Sequence, residues 1–106
     1  MSSAIVHSPQ NRTSFTQSTV NFRCTSDQLT DIYWKYKEVR GDADLSIFDH
    51  FGKNEKMFGT RFVKRVNGST SVLSIHDVQK SDTGIYSCRE KYAGSVQSAQ
   101  LVVIGQ

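Results

Sequence analysis

The fold of this chain is decided by the stretch Asp82-Thr83-Gly84-Ile85-Tyr86-Ser87-Cys88, which leads into the second of its two cysteines. Within it, Tyr86 and Cys88 alternate with their neighbours, the period-two pattern of a strand with one buried face. The other cysteine, Cys24, belongs to a similar alternating run, and Trp34 lies between the two cysteines. We therefore expect these four residues to point into the core of an all-β domain.

Length and composition limit the class of protein. A chain of 106 residues can build one core, so residues 1–106 are predicted to form a single domain. The mean hydropathy is −0.45, and no apolar run approaches a membrane span. The start, Met1-Ser2-Ser3, has no signal peptide, so we expect a piece of a longer extracellular chain, joined to a membrane only through downstream segments. The net charge of +3 is small and not gathered in one segment, so nucleic-acid binding is not expected.

The rest of the chain consists of short alternating runs separated by turn residues, with no helical period. Alternation places these residues inward: Val20, Phe22 and Cys24; Ile32, Trp34 and Tyr36; Leu73 and Ile75; Leu101 and Val103. Further strands are expected at 5–7, 45–49 and 61–64, with Pro9 ending or bending the first. Turns are expected at Gly41, at Gly52-Lys53-Asn54 and at Asn67-Gly68.

Together these features resemble a variable-type (V-set) domain of the immunoglobulin superfamily, and the resemblance covers nearly the whole chain. Cys24, Trp34 and the Asp-x-Gly-x-Tyr-x-Cys motif match the framework of that fold. The stretch from Trp34 to Arg61 is long enough for the extra C′ and C″ strands of the variable type. The resemblance implies a two-sheet antiparallel Greek-key sandwich that includes both of these strands.

The resemblance also implies a disulfide between Cys24 and Cys88, with Trp34 packed against it. Two buried free thiols in a reducing compartment are the alternative, but the Trp34 and Tyr86 context favours the disulfide and an oxidising compartment. A zinc site is not expected, because the chain has no Cys-x-x-Cys and its histidines are scattered. No metal or other cofactor is predicted.

The resemblance also gives structural roles to four further framework residues. Tyr86 is expected to hydrogen-bond the backbone a few residues upstream. Arg61 and Asp82 are expected to pair through two parallel bonds at the base of the sandwich. Gly84 is expected to adopt unusual backbone angles in a tight turn.

The chain departs from antigen receptors in one respect. The last strand, 98–104, lacks the Phe-Gly-x-Gly bulge of rearranged antigen receptors. We therefore expect that the chain is neither an antibody nor a T-cell-receptor chain. With only two cysteines, it also cannot carry the second disulfide that some V-set families need.

The candidate recognition surface lies on the front sheet, through which V-set receptors usually dock. In the naming of that family its strands are C around Trp34, C′ at 45–49, F around Cys88 and G at 98–104. On one strand, the alternation that buries Trp34 turns its neighbours outward, and on the other strand the alternation that buries Tyr86 does the same. An outward aromatic ringed by polar groups is typical of a binding patch, whereas a plain solvated sheet face is the alternative. The predicted partner-binding residues are Tyr33, Lys35, Lys37, Phe48, Ile85, Arg89 and Lys91.

The expected function is recognition by a cell-surface immune-type or adhesion receptor, not catalysis, since no nucleophile triad, phosphate loop or metal set is present. The partner would be a protein on another cell or in the same membrane, or a second copy of the chain. A homodimer would need Glu38, Asp44 or Asp49 to face the basic residues across a two-fold axis. His50 and Phe51, beside Phe48, are further candidate anchors at the sheet edge.

Two alternative ligands follow from single motifs. Arg89 directly follows the second cysteine, where sialic-acid-binding V-set lectins carry a carboxylate-binding arginine, so a lectin function is one alternative. Arg40-Gly41-Asp42 spells an integrin-recognition tripeptide in a predicted turn, although Gly and Asp are common in any turn.

Two sequons for N-glycosylation begin at Asn11 and Asn67. Both fall in predicted loops away from the front sheet, where a glycan would leave the recognition surface open. They agree with an extracellular location.

Overall fold

The structure is a computed structural model that describes residues 4–91 and 96–105. Within these ranges, ten strands form two sheets. The back sheet has the order β1-β3-β8-β7 and contains β1 (Ile5–His7), β3 (Val20–Ser26), β8 (Thr70–Ile75) and β7 (Phe62–Asn67). The front sheet has the order β2-β10-β9-β4-β5-β6 and contains β2 (Arg12–Phe15), β10 (Val96–Ile104), β9 (Gly84–Glu90), β4 (Ile32–Lys37), β5 (Leu45–Asp49) and β6 (Gly52–Lys53). The predicted all-β sandwich is confirmed.

The first part of the chain passes from one sheet to the other. Strand β1 pairs antiparallel with β3 in the back sheet, whereas β2 pairs parallel with β10 in the front sheet. Pro9 lies buried between β1 and β2 and has no N–H for a strand ladder, so the first strand ends before it.

The core lies between the sheets and follows the predicted alternation. Along β3 every second residue is buried, and the same pattern along β9 buries Tyr86 and Cys88. All of the residues predicted to point inward are buried, except Tyr36, which is half-buried. The Cys24 and Cys88 sulfurs are bonded to each other across the sheets. Trp34 is fully buried and donates its indole N–H to the Ser71 hydroxyl at 2.9 Å.

The hairpin after β5 differs from the sequence prediction. The Gly52-Lys53-Asn54 turn is wrong, because Gly52 and Lys53 form β6 and pair with Asp49 and Phe48. The turn begins two residues earlier, at His50 and Phe51, and Gly52 follows it with a φ of +94°. Glycine takes that positive φ at little steric cost, so it closes the turn instead of forming its tip.

Two short helical segments also differ from the prediction of strands alone. Helix α1 covers Glu55–Phe58, and a single 3₁₀ turn covers Lys80–Asp82. Each is about one turn long, too short for a helical period to show in the sequence. The strand predicted at 61–64 runs from Phe62 to Asn67 instead.

Gly84 has a different role from the one predicted. It begins β9 with an ordinary negative φ, so unusual backbone angles do not explain it. A Cβ at this position would lie 2.7 Å from the Lys37 carbonyl oxygen and would run into the Tyr36 ring. The glycine is therefore required by close packing between β9 and β4.

Candidate recognition surface

Strand pairing brings most of the predicted surface residues together in rows across β4 and β9. Tyr33 pairs with Arg89, and Lys37 pairs with Ile85. Between these rows, Lys35 pairs with Ser87. We call the outward residues Tyr33, Lys35, Lys37, Ile85, Arg89 and Lys91 the front face. Paired residues in neighbouring strands are about 5 Å apart, so these side chains form a continuous surface.

Tyr33 is less exposed than predicted. Its exposed fraction is only 8%, and the Arg89 guanidinium lies 5.3 Å from the centre of its ring. The aromatic ring therefore forms a base on which the arginine stacks, because a cation is attracted to the ring face. In this row solvent reaches the arginine rather than the tyrosine, and the arginine is half-buried.

Phe48 does not belong to the surface, which corrects the prediction. The pairing of β4 with β5 shifts register between Trp34 and Lys35, so simple alternation fails there. As a result Ile47 and Phe48 are both buried and belong to the core. The Lys64 ammonium lies 5.3 Å from the centre of the Phe48 ring.

The exposed aromatic at this edge is Phe51, whose exposed fraction is 93%. It lies at the turn between β5 and β6, and the His50 ring packs edge-on against it at 5.1 Å. The Asp49 carboxylate accepts hydrogen bonds from the Ser46 hydroxyl and the Phe51 N–H, each at 2.8 Å. These two bonds hold the turn and lower the pKa of Asp49. Of the candidate anchors at the edge, the structure therefore favours Phe51.

The basic residues of the front face differ in how they are held. The Lys37 ammonium donates to the Gly41 carbonyl oxygen at 2.8 Å, so it supports the loop between β4 and β5. Lys35 and Lys91 are half-buried, and the Lys91 N–H donates to the Asp31 carbonyl oxygen at 3.0 Å.

The Arg40-Gly41-Asp42 tripeptide lies in the loop between β4 and β5. The Gly41 N–H donates to the Glu38 carbonyl oxygen at 3.0 Å, which is the predicted turn. Arg40 and Asp42 are exposed on either side of it.

The base of the sandwich is closed by Arg61 and Asp82. The two guanidinium nitrogens of Arg61 donate to the two carboxylate oxygens of Asp82 at 2.7 and 3.0 Å. Tyr86 donates its hydroxyl to the Asp82 carbonyl oxygen at 2.6 Å. These contacts lie at the base of the sandwich and serve the fold.

The sequence analysis missed a buried acid near the other end. Glu90 is fully buried, accepts a hydrogen bond from the Ser26 hydroxyl, and leaves its Oε1 without a partner among the described residues. The signal was present, because the inward alternation of Tyr86 and Cys88 continues to Glu90. We found no role for it in the front face.

The two sequons border different sheets. Asn67 ends β7 in the back sheet and is exposed, away from the front face as predicted. Asn11 instead borders the front sheet, since its side-chain oxygen accepts the Gln100 N–H of β10 at 2.9 Å. The prediction that both sequons lie away from that sheet is therefore wrong for Asn11.

In the part of the chain that the structure describes, no group of three or more His, Cys, Asp or Glu side chains is placed to hold a metal ion. Across residues 4–91 and 96–105, no helix is long and apolar enough to cross a membrane.

Known proteins resemble this chain in sequence and in fold. The T-cell receptor alpha chain V region 2B4 of Mus musculus is 33% identical over 79 residues, covering 71% of this chain and 59% of that protein. Titin domain M7 has a TM-score of 0.71 at 20% identity, covering 96% of this chain and 93% of that one. Titin domain M4 has a TM-score of 0.72 at 14% identity, covering 96% and 95%. At such identities the titin domains show the fold alone.

A model of the immunoglobulin V-set domain matches residues 7–104, nearly the whole chain. The expectation that the chain is not a T-cell-receptor chain rests on the missing bulge in the last strand and stays a prediction. The chain belongs to the immunoglobulin V-set family.

Proposed function

We propose that this domain is the extracellular recognition module of an immune-type or adhesion receptor and binds a protein partner through its front face. Membership of the V-set family and the likeness to a T-cell-receptor V region support a recognition role rather than catalysis. The observation that carries the proposal is the set of paired rows that joins Tyr33 to Arg89, Lys35 to Ser87, and Lys37 to Ile85.

The chemistry of these rows suits a protein interface. Arg89 stacked on Tyr33 joins two of the residue types enriched at energetic centres of interfaces, and Ile85 adds apolar area two rows further along the sheet. The stacking also restrains the arginine before binding, which reduces the entropy lost on association. Lys35 and Lys37 give the surface a positive charge, so the complementary surface would be acidic.

Phe51 extends the proposed interface beyond the sheet edge. An aromatic side chain exposed at 93% gains burial only from a partner, and its turn is already held by Asp49. A rigid aromatic in a preorganised turn is well suited to fill a partner's pocket. It replaces Phe48 as the proposed aromatic anchor.

An extracellular location is part of the proposal. The Cys24–Cys88 disulfide supports it, because structural disulfides persist in oxidising compartments. Asn11 and Asn67 are both exposed, so both sequons are open to glycosylation there.

The test is charge reversal on the front face. Fluorescent tetramers of the domain would be used to stain a panel of cells, with Lys35→Glu and Arg89→Glu compared against Lys80→Glu, an exposed lysine outside the front face. We expect each face variant to lose staining by about tenfold or more, since removing one partner of an interfacial charge pair costs 2 kcal/mol or more. Equal staining by the face variants and the Lys80→Glu control would refute the proposed face.

Binding of the domain to a second copy of itself is tested separately. Sedimentation velocity over a range of protein concentrations would show whether the mass rises with concentration. A homodimer through the front face predicts that Arg89→Glu shifts the equilibrium toward monomer while Lys80→Glu does not. A constant monomer mass would rule out self-association and leave a different protein as the partner.

The lectin alternative uses Arg89 alone. In the structure the guanidinium of Arg89 is already stacked on Tyr33, which fits a composite protein surface better than an isolated carboxylate site. Treating the cells with sialidase before staining distinguishes a sialylated sugar ligand from a protein ligand. Loss of staining after sialidase would favour the sugar ligand, and unchanged staining would favour the protein.

The exposure of Arg40 and Asp42 keeps an integrin-type ligand as a second candidate. Asp42→Ala would remove the carboxylate of that motif without touching the front face. Loss of staining in this variant, with normal staining by Arg89→Glu, would move the binding site to the loop between β4 and β5.

A further inference from the structure

A concave surface lies on the opposite side of the domain, on the outer face of the back sheet. It encloses about 1270 Å³ and crosses all four strands of that sheet. We call it the back groove and define its basic residues as His7, Arg12, Arg23 and Arg65. None of the described residues that line it is an aspartate or a glutamate.

Strand register places the basic residues around the groove floor. Arg23 on β3 and Arg65 on β7 both pair with Val72 on β8, one from each side. Two strand spacings separate them, so their backbones are about 10 Å apart. His7 pairs with Thr25 in the next row, and Arg12 reaches the groove from the front sheet.

The three arginines of the groove make few contacts with other residues that the structure describes. Within residues 4–91 and 96–105, the Arg61–Asp82 contact is the only ion pair, so Arg12, Arg23 and Arg65 have no carboxylate partner there. Arg65 makes one long hydrogen bond, from its Nη2 to the Ser74 hydroxyl at 3.4 Å. Several guanidinium N–H groups therefore remain to bind a ligand.

The lining favours a polyanion rich in hydroxyl groups. We infer that the back groove binds a linear sulfated polysaccharide. Arginine binds the oxygens of a sulfate or a carboxylate through two parallel hydrogen bonds. The remaining lining is mostly amide and hydroxyl, including Asn21, Thr25 and Thr70, and such groups hydrogen-bond sugar hydroxyls.

Two other polyanions fit the groove less well. An acidic peptide can also bind an arginine cluster, but most peptide-recognition modes add pockets for other side chains, and among the described lining residues only Val66 and Val72 are apolar. A single-stranded nucleic acid needs aromatic rings for base stacking, and no Phe, Tyr or Trp is among those residues.

The glycosylation sites must be controlled in the test. Asn67 lines the groove, and Asn11 precedes Arg12 at its rim. Ser69→Ala and Thr13→Ala remove both sequons without replacing a lining residue, so this pair of changes forms the background for every variant.

The experiment measures binding of a heparin oligosaccharide by calorimetry at two salt concentrations. We expect Arg23→Glu with Arg65→Glu to weaken binding by about tenfold or more, and Lys56→Glu with Lys80→Glu to weaken it by about twofold or less. The groove variant and the control variant change the net charge of the protein equally. An equal loss of heparin binding in both would mean that only general electrostatic attraction is measured, and it would overturn the site. Lys35→Glu with Arg89→Glu should match the control pair; a loss as large as that of the groove pair would also overturn the site.

Two further probes identify the ligand class. Chemically desulfated heparin should bind about tenfold more weakly or worse, and unchanged binding would refute sulfate recognition. Poly-glutamate that binds as tightly as heparin, and loses binding in the groove pair, would reassign the groove to acidic peptides. Thermal unfolding checks each variant, and if the glutamate pair does not fold, Arg23→Gln with Arg65→Gln carries the same expectation of weakened binding.

Discussion

At the scale of single residues, Asp82 joins three parts of the base of the sandwich. Its carboxylate accepts both Arg61 bonds and, at 2.8 Å, the Gln79 N–H, while its carbonyl accepts the Tyr86 hydroxyl. The exposed fraction of its side chain is 6% against 29% for Arg61. This pair is therefore closer to a buried ion pair than to a surface one.

We expect Asp82→Ala to lower the free energy of unfolding by about 3 kcal/mol, because it leaves a partly buried guanidinium without its partner. Urea unfolding would measure the change, with Asp44→Ala, an exposed loop carboxylate, as the control. A loss below about 1 kcal/mol, as for exposed pairs, would show that the pair contributes as a surface contact only.

A second prediction concerns alkaline pH. Burial, with a smaller contribution from the Asp82 carboxylate, raises the pKa of Tyr86 well above its usual range. The native state therefore keeps this proton at pH values where the unfolded chain releases it. The contribution of this proton to the free energy of unfolding is fully present below about pH 10. Above that pH it decreases by about 1.4 kcal/mol per pH unit.

The variant Tyr86→Phe has no such proton, so its stability should fall less steeply above pH 10. It should also lose about 1 kcal/mol at neutral pH with the hydrogen bond to Asp82. Urea unfolding at several alkaline pH values compares the two slopes. Identical slopes would contradict a raised pKa for Tyr86.

At the scale of elements, β9 connects the framework to the front face. One side of the strand carries Tyr86 and Cys88 into the core, and the other presents Ile85 and Arg89. The strand begins at Gly84, where β4 approaches too closely for a side chain. The position of the front-face rows therefore depends on this close approach.

We expect Gly84→Ala to cost about 2–3 kcal/mol, since the new methyl group would meet the Lys37 backbone and the Tyr36 ring. Gly105→Ala is the matched control, because its Cβ would meet only the end of the flexible Lys80 side chain. Thermal and urea unfolding would rank the two. Similar losses in both variants would mean that β4 and β9 separate easily and that the close approach is not needed.

At the scale of the whole molecule, one disulfide cross-links the two sheets. The disulfide closes a loop with a sequence separation of 64 residues, from β3 to β9. In the chain-entropy model, a loop of that length contributes about 4 kcal/mol by restricting the unfolded chain.

We therefore expect Cys24→Ala with Cys88→Ala to lose about 4 kcal/mol, a large share of the stability of a small domain. Urea unfolding measures the loss. A thiol assay on unfolded, unreduced wild-type protein should detect no free thiol, and two titratable thiols per chain would disprove the bond.

The sequence by itself determined the sandwich and its core, because period-two alternation and the spacing of the two cysteines and the tryptophan can both be read directly along the chain. Its failures have specific tertiary causes. Phe48 is buried because of a register shift between β4 and β5, and Gly84 is needed because another strand approaches it. Neither effect is visible along one strand.

The candidate surfaces divide in the same way. Alternation predicted the outward side of β4 and β9, but only the folded chain showed that Arg89 covers Tyr33 and that Phe51 forms the exposed turn. The back groove had no sequence signal, since Arg12, Arg23 and Arg65 are far apart in the chain. Strand pairing brought Arg23 and Arg65 to one face, and Arg12 reaches that face from β2 of the front sheet. Register depends on contacts between distant segments and not on the residues of one segment.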